Sequence, residues 1–136
     1  MTYNKGEVII KKGLRFLDND EPDPKGQRPV MIMLAVSEDN KYEYFLSLTS
    51  KTQKYFDNRL KSYYALVKKN ENNRLKASSL VNLQNIYKVE VGNEPVTASI
   101  EEDDYRNIIR RFKSCQEADP KKYYNEIKDL LNISRI

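Results

Sequence analysis

The sequence predicts a mainly β protein of the α+β class, a small β-barrel followed by two C-terminal helices. Up to residue 91, five or six short runs of β-branched and aromatic residues alternate with turn-forming residues, a spacing typical of small barrels and sandwiches. After Gly92 the apolar residues recur with helical spacing instead. The length of 136 residues suits one domain, 1–136, with the barrel at about 5–91 and the helices at about 99–132.

The barrel is expected to contain five or six strands, for which the sequence offers six candidate segments. These are Lys5–Lys12, Arg28–Ser37, Tyr42–Thr49, Ser62–Lys68, Leu75–Leu83 and Ile86–Val91. The second is a nearly continuous apolar run, typical of a strand buried on both faces. Asp39 and Asn40 favour a hairpin turn that brings the third strand back antiparallel to it, and Lys69–Asn73 favours a turn after the fourth. A long polar loop, 14–27, separates the first two strands.

Two amphipathic patterns predict the helices. Ser99 and Glu102 have the spacing of a capping box at the start of the first helix. Four apolar residues then recur at i, i+3, i+4 and i+7, namely Tyr105, Ile108, Ile109 and Phe112. Asp119 and Pro120 are typical of a second helix start. The buried face of that helix is expected to contain Tyr123, Ile127, Leu130 and Leu131.

The composition excludes several kinds of chemistry. The chain has no His, so a Ser-His-Asp or Cys-His triad is impossible, and its single cysteine, Cys115, can form neither an internal disulfide nor a zinc site. We therefore expect no metal and no cofactor. The N-terminus lacks the apolar region of a signal peptide, and the longest apolar run, Val30–Val36, is far too short to span a bilayer. These features predict a soluble cytoplasmic protein with no membrane partner.

Positive charge is concentrated in the middle of the chain. The whole sequence has a net charge of +4, whereas 51–88 contains nine basic and two acidic residues, a net charge of +7. Tyrosines are interleaved with these cations, a pattern that suits RNA or single-stranded DNA, whose bases can stack on aromatic rings. The alternative interpretation is an ordinary solvated surface in a lysine-rich protein. Four acidic residues crowd into the loop at 18–23, namely Asp18, Asp20, Glu21 and Asp23.

Four segments, in this order and spacing, resemble the MazF/PemK family of bacterial toxins. They are Lys5–Val8 (KGEV), Gly26–Met33 (GQRPVMIM), Leu48–Ser50 (LTS) and Ala77–Ile86 (ASSLVNLQNI). The resemblance covers about residues 5–91 and implies a barrel of the PemK/MazF/CcdB type and a homodimer. It also implies metal-independent cleavage of single-stranded RNA and a cognate antitoxin. The Leu-Thr-Ser segment followed by lysines also resembles the ToxN/CptN branch, whose antitoxin is an RNA, so the antitoxin is either a protein or an RNA.

An RNase of this kind makes the 2′-hydroxyl of its own substrate attack the adjacent phosphate, so the protein must stabilise the extra negative charge. A guanidinium is the best single group for this purpose, and Arg28 begins a rigid strand. Counting from the hairpin turn brings the end of the next strand beside it, so the hydroxyls of Thr49 and Ser50 are predicted to join Arg28 as catalytic residues. Five further residues are predicted to bind the RNA substrate: Lys51, Lys54, Tyr55, Gln27 and Asp23.

Other interpretations of these residues stay open. Strand tyrosines such as Tyr63 and Tyr64 are more typical of packing than of base stacking, and no motif selects the proton-transfer group among the loop acids. The chain could also be a non-catalytic RNA-binding or adaptor barrel. A third hypothesis is a toxin that acts on a gyrase-like protein, which the ending Leu131–Ile136 only weakly suggests.

Overall fold

The computed structural model describes residues 4–17, 21–24, 27–34, 41–53, 61–90 and 92–118. Seven strands and one helix follow one another along these residues. They are β1 (Glu7–Lys12), β2 (Gln27–Leu34), β3 (Tyr42–Thr49), β4 (Tyr64–Val67), β5 (Ser79–Asn82), β6 (Tyr87–Glu90), β7 (Val96–Ser99) and α1 (Glu102–Ala118). A short 3-10 helix, Lys61–Tyr63, leads into β4. The predicted α+β, mainly β fold class is therefore confirmed.

The strands form one mostly antiparallel sheet in the order β4-β5-β3-β2-β1-β7, with β6 pairing to β3 outside this path. Within the described residues this sheet does not close on itself, so the predicted small barrel is an open sheet. One contact joins the two ends of this path: the backbone N–H of Ser99 in β7 donates a hydrogen bond of 2.9 Å to the carbonyl of Asn73, in the connection between β4 and β5. The sheet thus curls without completing a ladder between β4 and β7.

The central strand β3 is buried along nearly its whole length because both of its faces are covered. Tyr44, Leu46 and Leu48 alternate towards the larger core, which also contains the apolar face of α1. Phe45 points towards the smaller core, where the loop after β1 contributes Leu14. Successive side chains of β3 therefore pack alternately into the larger and the smaller core.

Helix α1 has the predicted buried face, since Tyr105, Ile108, Ile109 and Phe112 are all buried. Its start was predicted wrongly, because Ser99 is the last residue of β7 and the helix begins at Glu102. The backbone N–H of Ser99 donates to the carbonyl of Asn73, so it is not free for the bond to the Glu102 side chain that a capping box requires. The second predicted helix lies outside the described residues.

Candidate functional site

The predicted catalytic residues lie on two neighbouring strands. Arg28 of β2 pairs with Lys11 of β1. At this end of the β2–β3 ladder the last paired residues are Val30 and Ser47. Arg28 lies two residues before Val30 and Thr49 two residues after Ser47, so both lie equally far beyond this pair. On its other edge β3 pairs with β5, where Thr49 is the partner of Leu80. The end of β3 thus lies beside β5, two residues beyond its last pair with β2.

The backbone around Thr49 is held in a tight local turn. Thr49 Oγ1 accepts a hydrogen bond of 3.2 Å from the backbone N–H of Lys51. The carbonyl of Ser50 accepts a backbone hydrogen bond of 2.9 Å from Thr52. Thr49 is half-buried, whereas Ser50 and Lys51 are exposed. Two hydroxyl side chains and an ammonium side chain therefore follow one another at an accessible strand end.

A cavity of about 290 Å³ opens beside this strand end. Its walls come from β1, β2, β7, the end of β3 and the segment that precedes β5. The lining is Val8, Ile10, Pro29, Leu48, Thr49, Ser50, Arg74, Leu75, Lys76, Ala77, Ser79, Thr97 and Ala98. The cavity therefore combines an apolar interior with hydroxyl and cationic groups.

Two asparagines organise the turn that brings Arg74 to this cavity. The side chain of Asn73 is fully buried, and its amide donates to the carbonyl of Lys68 at 2.9 Å. Its Oδ1 accepts from the backbone N–H of Leu75 at 3.1 Å. Asn70 Oδ1 in turn accepts from the backbone N–H of Asn73 at 2.9 Å. Arg74 follows with a φ of +60°, a left-handed conformation that is uncommon for a residue other than glycine.

A buried charge cluster begins at Lys11, the ladder partner of Arg28. Lys11 Nζ lies 2.8 Å from a carboxylate oxygen of Glu94, and Lys11 is only 7% exposed. Glu43 of β3 is fully buried and accepts a hydrogen bond of 3.3 Å from the backbone N–H of Gly92. Burial raises the pKa of Glu43, although Gly92 and the charge of Lys11 act against this rise. Glu43 is buried and is not among the residues that line the cavity at the end of β3.

Asp23, predicted to bind RNA, lies 9% exposed in the loop after β1. Its Oδ2 accepts a hydrogen bond of 2.8 Å from the hydroxyl of Tyr87, and its backbone N–H donates to the carbonyl of Leu14 at 2.9 Å. The ring of Tyr87 also stacks on Phe16, with the two ring centroids 5.0 Å apart. These contacts tie the loop to β6, which is a structural use of the carboxylate.

Several predicted site residues cannot be placed in this geometry. Lys54 and Tyr55 lie outside the described residues, as do the loop acids Asp18 and Asp20. The backbones of Gln27 and Arg28 are described, but their side chains are not. The tyrosines Tyr63 and Tyr64, for which packing was the alternative, are half-buried.

Sequence reasoning missed most of the cavity. Its wall at Thr97 belongs to β7, a strand that the sequence analysis did not predict. The sequence held one signal, because residues 8–10 are consecutive apolar residues and successive strand side chains point to opposite faces; Ile10 is the one that is 40% exposed. Arg74 was counted only as one of the cations in 51–88, because no sequence pattern shows that the asparagine-rich turn directs it to a cavity.

The chain matches no known family model and no curated protein sequence. Among the described residues, no group of three carboxylate or thiol side chains is arranged to hold a metal ion. None of the helices in the described part is both long enough and apolar enough to cross a bilayer.

Proposed function

We propose that this chain is an endoribonuclease toxin of a bacterial toxin–antitoxin system, and that it cleaves single-stranded RNA without a metal ion. The observation that carries the proposal is the end of β3. Thr49 and Ser50 line a cavity there, and Lys51 follows them. Arg28 lies on the neighbouring strand β2, as far beyond the last pair of the β2–β3 ladder as Thr49 does. Hydroxyl, ammonium and guanidinium groups are the groups that bind a phosphate.

The proposed reaction is a transfer within the RNA itself. The 2′-oxygen forms a bond to the adjacent phosphorus, the bond from phosphorus to the 5′-oxygen breaks, and the product carries a 2′,3′-cyclic phosphate. The 2′-hydroxyl loses one proton and the departing 5′-oxygen gains one. The guanidinium of Arg28 stabilises the charge that develops on the phosphate oxygens, and the hydroxyls of Thr49 and Ser50 donate hydrogen bonds to the same oxygens.

Lys51 supplies a further cation for the phosphate or for the leaving oxygen. Lys54, Tyr55 and Gln27 are proposed to contact the RNA on either side of the cleaved bond. Asp23 is the weakest of the proposed RNA contacts, since its buried carboxylate already accepts the hydroxyl of Tyr87.

The resemblance to MazF/PemK toxins also supports proposed partners. A cognate antitoxin, either a protein or an RNA, would cover the positively charged segment 51–88 in the inactive state. A homodimer is proposed on the same resemblance. Action in the cytoplasm follows from the substrate, which is cellular RNA.

A non-catalytic RNA-binding module is the second candidate, and three carboxylates of the described residues favour it. Glu43 is fully buried, Asp23 bonds to Tyr87, and Glu94 pairs with Lys11. A protein that only binds RNA needs no proton-transfer group, whereas the nuclease must move two protons. Cleavage products therefore distinguish the two functions.

The test is to incubate the full chain with single-stranded RNA in excess chelator and to identify the ends of the products. We expect cleavage with 2′,3′-cyclic phosphate ends. Arg28→Ala should lower the cleavage rate by about 100-fold or more, because the charge on the phosphate oxygens loses its main partner. The matched control is Arg106→Ala on the exposed face of α1, which should cleave at the wild-type rate.

Thr49 offers a finer comparison. Thr49→Val keeps the shape of the side chain but removes its hydroxyl, whereas Thr49→Ser retains the hydroxyl. Only the valine variant should therefore lose cleavage. A folded Arg28→Ala protein with wild-type activity, or cleavage that requires magnesium, would disprove the proposed mechanism. RNA binding with no cleavage at all would favour the second candidate.

A further inference from the structure

We infer that the cavity between β1, β7, the end of β3 and the segment before β5 is a pocket for one unstacked nucleobase of single-stranded RNA. The choice of RNA as the ligand rests on the proposed function. The pocket itself rests on its shape, lining and charge.

The interior of the cavity suits a flat apolar ring. Val8, Ile10, Pro29, Leu48 and Ala98 contribute apolar surface. Ile10 is the large hydrophobic side chain that remains exposed among the described residues, at 40%. A ligand that covers this exposed isoleucine removes apolar surface from water, and this burial favours binding.

The size of the cavity limits its occupant. A volume of about 290 Å³ lies at the lower end of the range for small-molecule sites, about 300 to 1,000 Å³. A single base therefore fits better than two stacked bases. Single-stranded RNA supplies such bases, because its nucleotides can be splayed out of the stack.

The rim supplies cations for the phosphates on either side of that base. Arg74 and Lys76 line the cavity and are both exposed. The buried side chain of Asn73 fixes the turn before Arg74, and Lys69 Nζ donates to the carbonyl of Lys76 at 3.2 Å. Because its backbone is held in place, Arg74 loses less freedom when it binds an anion.

The pocket shares two residues, Thr49 and Ser50, with the proposed cleavage site. Thr49 and Ser50 line the same cavity as Ile10 and Arg74. A base held in the cavity would therefore place one of its neighbouring phosphates at the end of β3. The pocket would select where the RNA is cut by binding the base next to the cleaved bond.

The test measures binding rather than cleavage, so that its failure is distinct from the failure of the nuclease. The full chain is titrated with ribonucleoside 5′-monophosphates and, separately, with ribose 5-phosphate. We expect at least one nucleotide to bind roughly tenfold more tightly than the sugar phosphate, because only the nucleotide places a ring in the pocket. Arg106→Ala, on the exposed face of α1, should retain this binding.

Variants of Ile10 test the interior. Ile10→Glu introduces a carboxylate where the ring would lie and should remove the tenfold preference for the nucleotide, whereas Ile10→Leu should keep it. Ala77→Phe, at an exposed position on the rim, should obstruct the cavity without disturbing a core, and Ala118→Phe at the exposed end of α1 is its control.

Arg74 tests the rim. Asparagine tolerates a left-handed backbone, so Arg74→Asn removes the charge while the turn is kept. It should weaken nucleotide binding by roughly fivefold and leave the binding of the uncharged nucleoside unchanged. Arg110→Asn on α1 is the charge-matched control.

Equal binding of nucleotide and sugar phosphate, or wild-type nucleotide binding by both Ile10→Glu and Ala77→Phe, would overturn the inference. Nucleotide binding without any RNA cleavage would sustain the pocket and reject the nuclease. Direct binding of an apolar peptide, with no binding of any nucleotide, would show that the cavity accepts a protein segment instead.

Discussion

Glu43 is a carboxylate enclosed by protein on the central strand β3. One of its oxygens accepts the backbone N–H of Gly92 at 3.3 Å, and the other has no hydrogen-bond partner among the described residues. The charge of Lys11 partly offsets the cost of burial, but the pKa of Glu43 is still raised, chiefly by desolvation. A residue of this kind reduces stability when it is ionised.

Glu43→Gln should therefore change how stability depends on pH. Because the folded protein has the higher pKa, it binds more protons than the unfolded chain, and the free energy of unfolding falls as pH rises from about 4.5 through the raised pKa. The glutamine variant should lose that fall. Urea unfolding at pH 5 and pH 8 measures it, with the exposed Glu90→Gln as the control.

If Glu43→Gln and Glu90→Gln gave the same pH dependence, Glu43 would titrate alike in the folded and unfolded states. That result would contradict the assignment of Glu43 as a buried, desolvated acid.

Tyr87→Phe tests whether Asp23 has a structural role. The variant removes the hydroxyl that bonds to the buried Asp23 carboxylate at 2.8 Å, and should lower the free energy of unfolding by about 1–3 kcal/mol. Tyr63→Phe, at a half-buried ring, should cost less than about 0.5 kcal/mol. RNA affinity is measured in parallel. A large loss of RNA affinity in a stable Tyr87→Phe protein would instead indicate that Asp23 contacts the ligand.

At the scale of elements, the connection between β4 and β5 is held mainly by polar contacts. The side chain of Asn73 forms hydrogen bonds with the backbone of Lys68 and Leu75 within the connection. The backbone carbonyl of Asn73 accepts a hydrogen bond of 2.9 Å from the backbone N–H of Ser99 in β7. This connection therefore links the β4–β5 hairpin to the opposite end of the sheet path. It also determines where Arg74 enters the cavity.

Asn73→Ala should lower the free energy of unfolding by about 2–3 kcal/mol, because buried backbone groups lose their partners. Asn72→Ala is the matched control, since this exposed residue contributes its backbone N–H, which alanine keeps, and it should change stability by less than about 0.5 kcal/mol. Thermal or urea unfolding measures both. Equal stability of the two variants would show that the Asn73 side chain does not hold the turn.

Elements with a strong internal pattern were predictable. The i, i+3, i+4, i+7 spacing of α1 identified its buried face, and β3 was predicted with its observed bounds. The short strand β7 was missed because four residues after Pro95 have little pattern of their own, and their pairing with β1 is a contact between distant parts of the chain. The same pairing explains why Ser99 is a strand residue.

At the scale of the whole molecule, charge gives a prediction that does not depend on cleavage. Of the nine cations in 51–88, six are exposed in the described part, namely Lys51, Lys61, Lys68, Lys69, Arg74 and Lys76. If three phosphates are contacted, raising the salt concentration from about 50 to about 200 mM should weaken binding of single-stranded RNA by about 20-fold. Binding that did not change with salt would mean that these cations do not contact the phosphates.

The order and type of most elements follow from the sequence, because alternation and helical spacing are local properties of the chain. The absence of histidine and the concentration of cations in 51–88 can also be read directly from it. The candidate catalytic residues Thr49 and Ser50 could be assigned to a strand end in the same way.

The tertiary structure alone decided what lies beside that strand end. The cavity joins Val8 to Ala98, the buried Glu43 meets Gly92, and the sheet curls without closing between β4 and β7. Each of these features depends on which strands pair and in what register. Pairing is settled by packing between residues far apart in the chain, which no local pattern records.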